Sequence, residues 1–116
     1  MTLAVTDRSP TITTSEYSYA ADTTTGVPTS QTDDCILEMQ LYTGNMVAGD
    51  QFRFRLYEKA ISGGTQGRVR EWVLTGAQPE VTFVIECGFL AHGWDFTGVK
   101  LAGTDRAING SLRKVT

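Results

Sequence analysis

Gln51-Phe52-Arg53-Phe54-Arg55-Leu56-Tyr57-Glu58-Lys59 decides the fold class. Apolar residues recur at every second position, so an extended chain puts Phe52, Phe54 and Leu56 on one face and Arg53, Arg55 and Tyr57 on the other, the pattern of a half-buried strand. Upstream, Cys35–Tyr42 repeats it, with Cys35, Leu37, Met39 and Leu41 opposite Glu38 and Gln40. Downstream, Arg68–Leu74, Glu80–Cys87, Trp94–Leu101 and Arg106–Val115 read as further strands. The glycine-rich Gly63–Gly67 is a hairpin loop: it lacks the lysine and the following helix of a phosphate-binding loop. No ten-residue window carries a helical period bounded by caps. One sheet could not bury Phe52, Phe54, Phe83, Trp94 and Phe96, so the reading is an all-β, antiparallel two-sheet sandwich of six to eight strands. Jelly-roll and immunoglobulin-like orders both fit.

A chain of 116 residues and 12.7 kDa has room for one core. No apolar run approaches the ~20 residues of a membrane-spanning helix, so a membrane protein is not expected. A net charge of −3 and a pI near 5.0 argue against nucleic acid as a partner. The start lacks a basic segment followed by an apolar one, so synthesis in a cytoplasm without secretory export is expected. Residues 1–34 differ from the rest in holding ten Thr, four Ser, five acids and one base. They read as an extended N-terminal arm ahead of a sandwich domain at 35–116. Fully stretched, such an arm reaches roughly 100 Å, so it could add a strand to a sheet edge of this subunit or of a neighbour. Ile12, Tyr17 and Tyr19 are its candidate assembly contacts.

Catalytic chemistry would have to come from Cys87 with His92, or from Glu86 and Asp95 beside His92, and these are close only in sequence. The expectation is that the chain is not an enzyme. One histidine and two cysteines give no metal-ligand spacing, and no cofactor is implied. Cys35 and Cys87 read as small buried residues, with a bridge geometrically open. The outward stripe Arg53, Arg55 and Tyr57, with Arg68 and Arg70 on the next strand, could form a basic patch for a partner's carboxylates or be a solvated face. Seven Arg against three Lys favours an assembly surface. Trp94 reads as core. Tyr57, Trp72 and the Gly63–Gly67 loop could instead form a glycan site, which an exposed Trp72 would favour.

The stretch Gly93-Trp94-Asp95-Phe96-Thr97, then Leu101-Ala102-Gly103-Thr104-Asp105-Arg106, then Ile108 and Ser111-Leu112-Arg113, resembles a pattern in small β-sandwich virion proteins encoded beside the capsid genes of tailed phages. The resemblance covers roughly residues 35–116, but not the arm. It departs from that pattern at Asn109-Gly110, where bulkier residues stand, and at Gly98, which suggests a bulge. It implies a decoration or cement role on the virion capsid surface, with the major capsid protein and further copies of this chain, as dimer or trimer, as partners. It transfers no functional site. Within it, Gly103 and Asp105 would turn the chain between the last two strands, and Arg106 could pair with Asp95 or Asp105. The alternatives are a host-surface or glycan-binding module of a tail or spike, and a minor head or tail structural protein.

Overall fold

The computed structural model describes every residue from Met1 to Thr116 and contains no helix. Eleven strands follow in chain order: β1 (Leu3–Arg8), β2 (Thr11–Ile12), β3 (Tyr17–Ser18), β4 (Thr23–Thr24), β5 (Cys35–Tyr42), β6 (Gln51–Lys59), β7 (Gln66–Thr75), β8 (Thr82–Leu90), β9 (Asp95–Ala102), β10 (Arg106–Ala107) and β11 (Gly110–Val115). All pairings are antiparallel. A four-stranded sheet, β1-β11-β5-β8, faces a five-stranded sheet, β4-β3-β9-β6-β7, and β2 and β10 form a small ribbon. Seven strands have six residues or more, within the expected count, and the other four are two-residue additions.

The alternation of β5 and β6 is why the core lies where it does. Leu37, Met39 and Leu41 from one sheet meet Phe52, Phe54, Leu56 and Phe96 from the other, all but fully buried, with Trp94 at one end. The Trp94 indole N–H donates to the Asp33 carbonyl at 2.8 Å, satisfying the one polar atom its burial takes from water.

Residues 1–34 are not a free arm, and the expected boundary at residue 34 divides no two bodies. This segment supplies β1 to one sheet, β3 and β4 to the other, and β2 to the ribbon. Ile12, Tyr17 and Tyr19 belong to the chain's own core rather than to a neighbour's edge. Tyr19, together with Phe54 at Gly98, explains both glycine departures. A Cβ on Gly98 would stand 3.0 Å from the Phe54 ring and 3.3 Å from the Tyr19 ring, and one on Gly110 would stand 2.9 Å from the Tyr19 ring and 3.1 Å from Leu41. The Tyr19 hydroxyl donates to the Ile108 carbonyl at 2.7 Å. Gly98 therefore marks a close approach and not a bulge; the irregularity in β9 falls beyond it, where Phe52 pairs with Lys100 and Gln51 with Ala102.

Two further expectations are corrected. The chain does turn between Ala102 and Arg106, but it crosses between sheets, since β10 pairs with β2 and the rest of the expected last strand, β11, joins the four-stranded sheet. Arg106 pairs with neither Asp95 nor Asp105. Its Nε donates to Asp50 at 2.8 Å, while Asp105 takes Lys100 at 2.7 Å. Gly103, with φ at +88°, brings the turn so close to the Asp50 carboxylate that a Cβ there would overlap it.

The strand expected to stop at Cys87 continues to Leu90 through a bulge. Leu37 pairs with Gly88 and Glu38 with Glu86, so Cys87 is the extra residue, and Gly88 takes φ +73°. The insertion shifts the alternation by one, keeping Cys87 and Leu90 inward and turning Phe89 out to solvent, where it is 85% exposed.

Candidate functional site

Two sheet faces remain on the outside of the sandwich, and each carries an unusual grouping. On the five-stranded sheet, β6 and β7 set Arg53 beside Val73, Arg55 beside Glu71 and Tyr57 beside Arg68, with a bulge between Leu56 and Tyr57. Three guanidiniums converge on the single Glu71 carboxylate: Arg55 at 2.7 Å, Arg68 at 3.3 Å and Arg53 at 3.9 Å. Hydrogen bonding from Arg55 first, with the charges of Arg55 and Arg68, holds the Glu71 carboxyl below the usual carboxylate range. One anion cannot pair three cations, and Arg53 Nε is buried without an acceptor. The expected basic patch thus brings together Arg53, Arg55 and Arg68.

Arg70 is not part of it. Its guanidinium stacks 4.9 Å above the Trp72 ring and donates to the Glu86 carbonyl at 2.9 Å, joining the β7 edge to β8. Trp72 is half-buried, packed toward Phe96 at 6.0 Å, so it is not the exposed platform a sugar would stack on. Tyr57 is buried and its hydroxyl donates to Glu16 at 2.8 Å, which takes it out of any open surface.

The residue covering Tyr57 comes from residues 13–34, the segment whose β3 pairs alongside β9. Glu16 accepts hydrogen bonds from both Tyr57 and Thr97. Asp95, fully buried, accepts from the Ser18 hydroxyl at 2.7 Å, the Thr29 amide at 2.7 Å and its own neighbour's amide, Phe96, at 2.8 Å. Burial raises its pKa against the lowering effect of these donors. This network explains how a Thr- and Ser-rich segment stays ordered: it is held by donors matched to two carboxylates. Glu16, Glu71 and Asp50 were not singled out in the sequence because their partners lie 16 to 81 positions away.

The second grouping lies on the outer side of the four-stranded sheet. Cross-strand register aligns Leu3, Val115, Ile36 and Phe89 in one row across all four strands. The next row is Val5, Arg113, Glu38 and Glu86, and the third is Asp7, Ser111, Gln40 and Val84. The first row is an apolar strip on the surface, flanked by shallow hollows of about 490 and 440 Å³. Arg113 Nε and Ser111 Oγ on this face are buried without hydrogen-bond partners.

Cys35 and Cys87 are buried free thiols, pushed up by burial to about 11 and about 12. No group of three His, Cys, Asp or Glu side chains is arranged to hold a metal. His92 sits at a left-handed turn, φ +59°, with its carbonyl accepting from the Lys59 amide. Comparison with protein-family models, with curated proteins and with solved structures finds no match.

Proposed function

We propose that this chain is a non-enzymatic structural protein of a virion, a decoration or cement protein that binds the outer surface of a phage head through its major capsid protein. The observation that best supports this reading is the cluster of Arg53, Arg55 and Arg68 around one carboxylate on an open sheet face. A surface with more guanidiniums than it can pair internally suits a partner rich in Asp and Glu, because the planar fork of Arg takes carboxylates bidentately. The excess is local, since the chain as a whole carries −3. A stable contact buries on the order of 1,200–2,000 Å², and repetition over a lattice turns modest single affinities into a lasting shell.

The test is binding of the purified protein to purified phage head shells, read as copies per shell across a salt series. Binding should saturate at many copies, weaken as salt rises, and fall on Arg68→Glu, a substitution at a half-exposed side chain. Absence of binding, or binding indifferent to both salt and Arg68→Glu, overturns the reading.

A further inference from the structure

We propose that the outer face of the four-stranded sheet is the interface of a two-fold homodimer, formed by stacking this face on the same face of a second copy. The inference rests on the reading above that the chain works by protein contact, and it names a different face and a different partner.

The argument comes from the order of residues in the rows. A two-fold axis lying between the faces, parallel to the strands and centred between β11 and β5, reverses strand order and leaves height along the strands unchanged. It therefore sets the apolar row upon itself, Val115 over the mate's Ile36 and Phe89 over the mate's Leu3. In the next row it sets Arg113 over the mate's Glu38, and Glu38 over the mate's Arg113. In the third it sets Ser111 over the mate's Gln40. Of the three buried polar atoms that lack partners within one chain, two, Arg113 Nε and Ser111 Oγ, belong to side chains on this face, and the mate sets a side chain able to accept above each. The mismatches, Val5 over Glu86 and Asp7 over Val84, fall on the edge strands away from the apolar row, at the polar rim of the contact.

The other in-plane two-fold, perpendicular to the strands and centred on the charged row, is excluded by the same pattern. It would place Arg113 on Arg113 and Glu38 on Glu38, and the apolar row on Gln40 and Ser111. Charge order thus selects one symmetry, and an isologous contact of this kind closes at two copies. Four strands about 4.8 Å apart and six residues at about 3.4 Å each give a footprint of roughly 19 by 20 Å. That is a small interface, so the dimer should form in the micromolar range.

Sedimentation of the full chain tests it. The wild type should pass from 12.7 kDa toward twice that mass with rising concentration. Phe89→Asp, at an exposed position, should stay monomeric at its unchanged melting temperature. Arg113→Glu and Glu38→Arg alone should each weaken self-association by about tenfold through like-charge contact. Mixed together, these two variants should form a heterodimer at wild-type concentrations, because both crossed pairs are then opposite in charge; a role for the pair within one chain would give no such rescue. A monomer at all concentrations, an unaffected Phe89→Asp dimer, or no heterodimer on mixing overturns the inference. A monomeric wild type that still coats shells leaves the proposed function standing, whereas a dimer that ignores shells supports this interface and overturns that function.

Discussion

Replacing Tyr19 tests whether the N-terminal segment is part of the fold. Its ring is fully buried, edge-on to Tyr17 at 4.9 Å and packed against Phe96 at 5.8 Å and Phe54 at 6.4 Å. A buried aromatic removes about 150–250 Å² from water, which at roughly 25 cal/mol per Å² is about 4–6 kcal/mol. Aromatic-to-Ala truncations in cores cost about 3–5 kcal/mol. Unfolding entropy near 2.1 cal/mol/K per residue gives this 116-residue chain about 0.24 kcal/mol/K, so Tyr19→Ala should lower Tm by about 12–20 °C. Tyr19→Phe keeps the ring and orphans the Ile108 carbonyl, a loss of about 1–2 kcal/mol or roughly 4–8 °C. Gly110 adds a sharper test. Gly110→Ala overpacks the wild-type site by about 1–3 kcal/mol, and in the Tyr19→Ala background most of that cost should vanish. Calorimetry with denaturant midpoints measures all four variants. If Tyr19→Ala moves Tm by less than about 2 °C, or Gly110→Ala costs the same in both backgrounds, the segment does not insert as described.

The remaining predictions concern the carboxylates, the turns and the thiols. Asp50 is held below the ordinary carboxylate range, chiefly by hydrogen bonding from Arg106, so its stabilisation is present above that range and lost as pH falls through its folded pKa. Asp50→Asn should therefore lose less between pH 5 and about 3 than wild type does, as read by urea midpoint at each pH. Asp95 has the opposite sign: burial raises its pKa, so its ionisation opposes folding as pH rises through the folded value, and Asp95→Asn should steepen the acid loss of stability. Gly103→Ala should cost about 2 kcal/mol or more, from a strained φ and overlap with Asp50, while Gly49→Ala, also at positive φ but facing open space, should cost less; thermal melts separate them. Cys35 and Cys87 should resist a thiol reagent in native protein at pH 8 and both react on unfolding, followed by absorbance.

The parts legible in the sequence were those governed by neighbours in the chain. Cys35–Tyr42 and Gln51–Lys59 form strands with the bounds that alternation indicates, because each buries one face along its whole length. The end of β8 was not legible, since one extra residue at Cys87-Gly88 inverts the alternation and Phe89-Leu90 then reads as loop. Gly88 beside two large apolar residues was the available signal. In residues 1–34 the apolar anchors are sparse, and their partners, Phe54, Phe96 and Ile108, lie far along the chain. The hint was indirect: Gly98 and Gly110 are missing side chains within strands, and something large had to fill the space. The arginines illustrate the same limit at the site. Alternation put Arg53 and Arg55 on one face and sets Arg70 opposite Leu56, away from them, but the bulge at Leu56/Tyr57 decides that Arg68 joins them.

The pairing of β1 with β11 has a consequence for how the molecule comes into being. Thr2 and Thr116 exchange backbone hydrogen bonds at 2.9 and 3.0 Å, so the earliest of the eleven strands to be synthesised finds its partner in the latest of the eleven. Emerging from a ribosome, β1 must wait unpaired until β11 is out, and closing that gap is the least local event in forming this sandwich. A circular permutant opened in the Gly63–Gly67 loop, with residues 116 and 1 joined by a short linker, would turn this distant pair into a hairpin. The same sandwich would then be reached with its slowest closure made local.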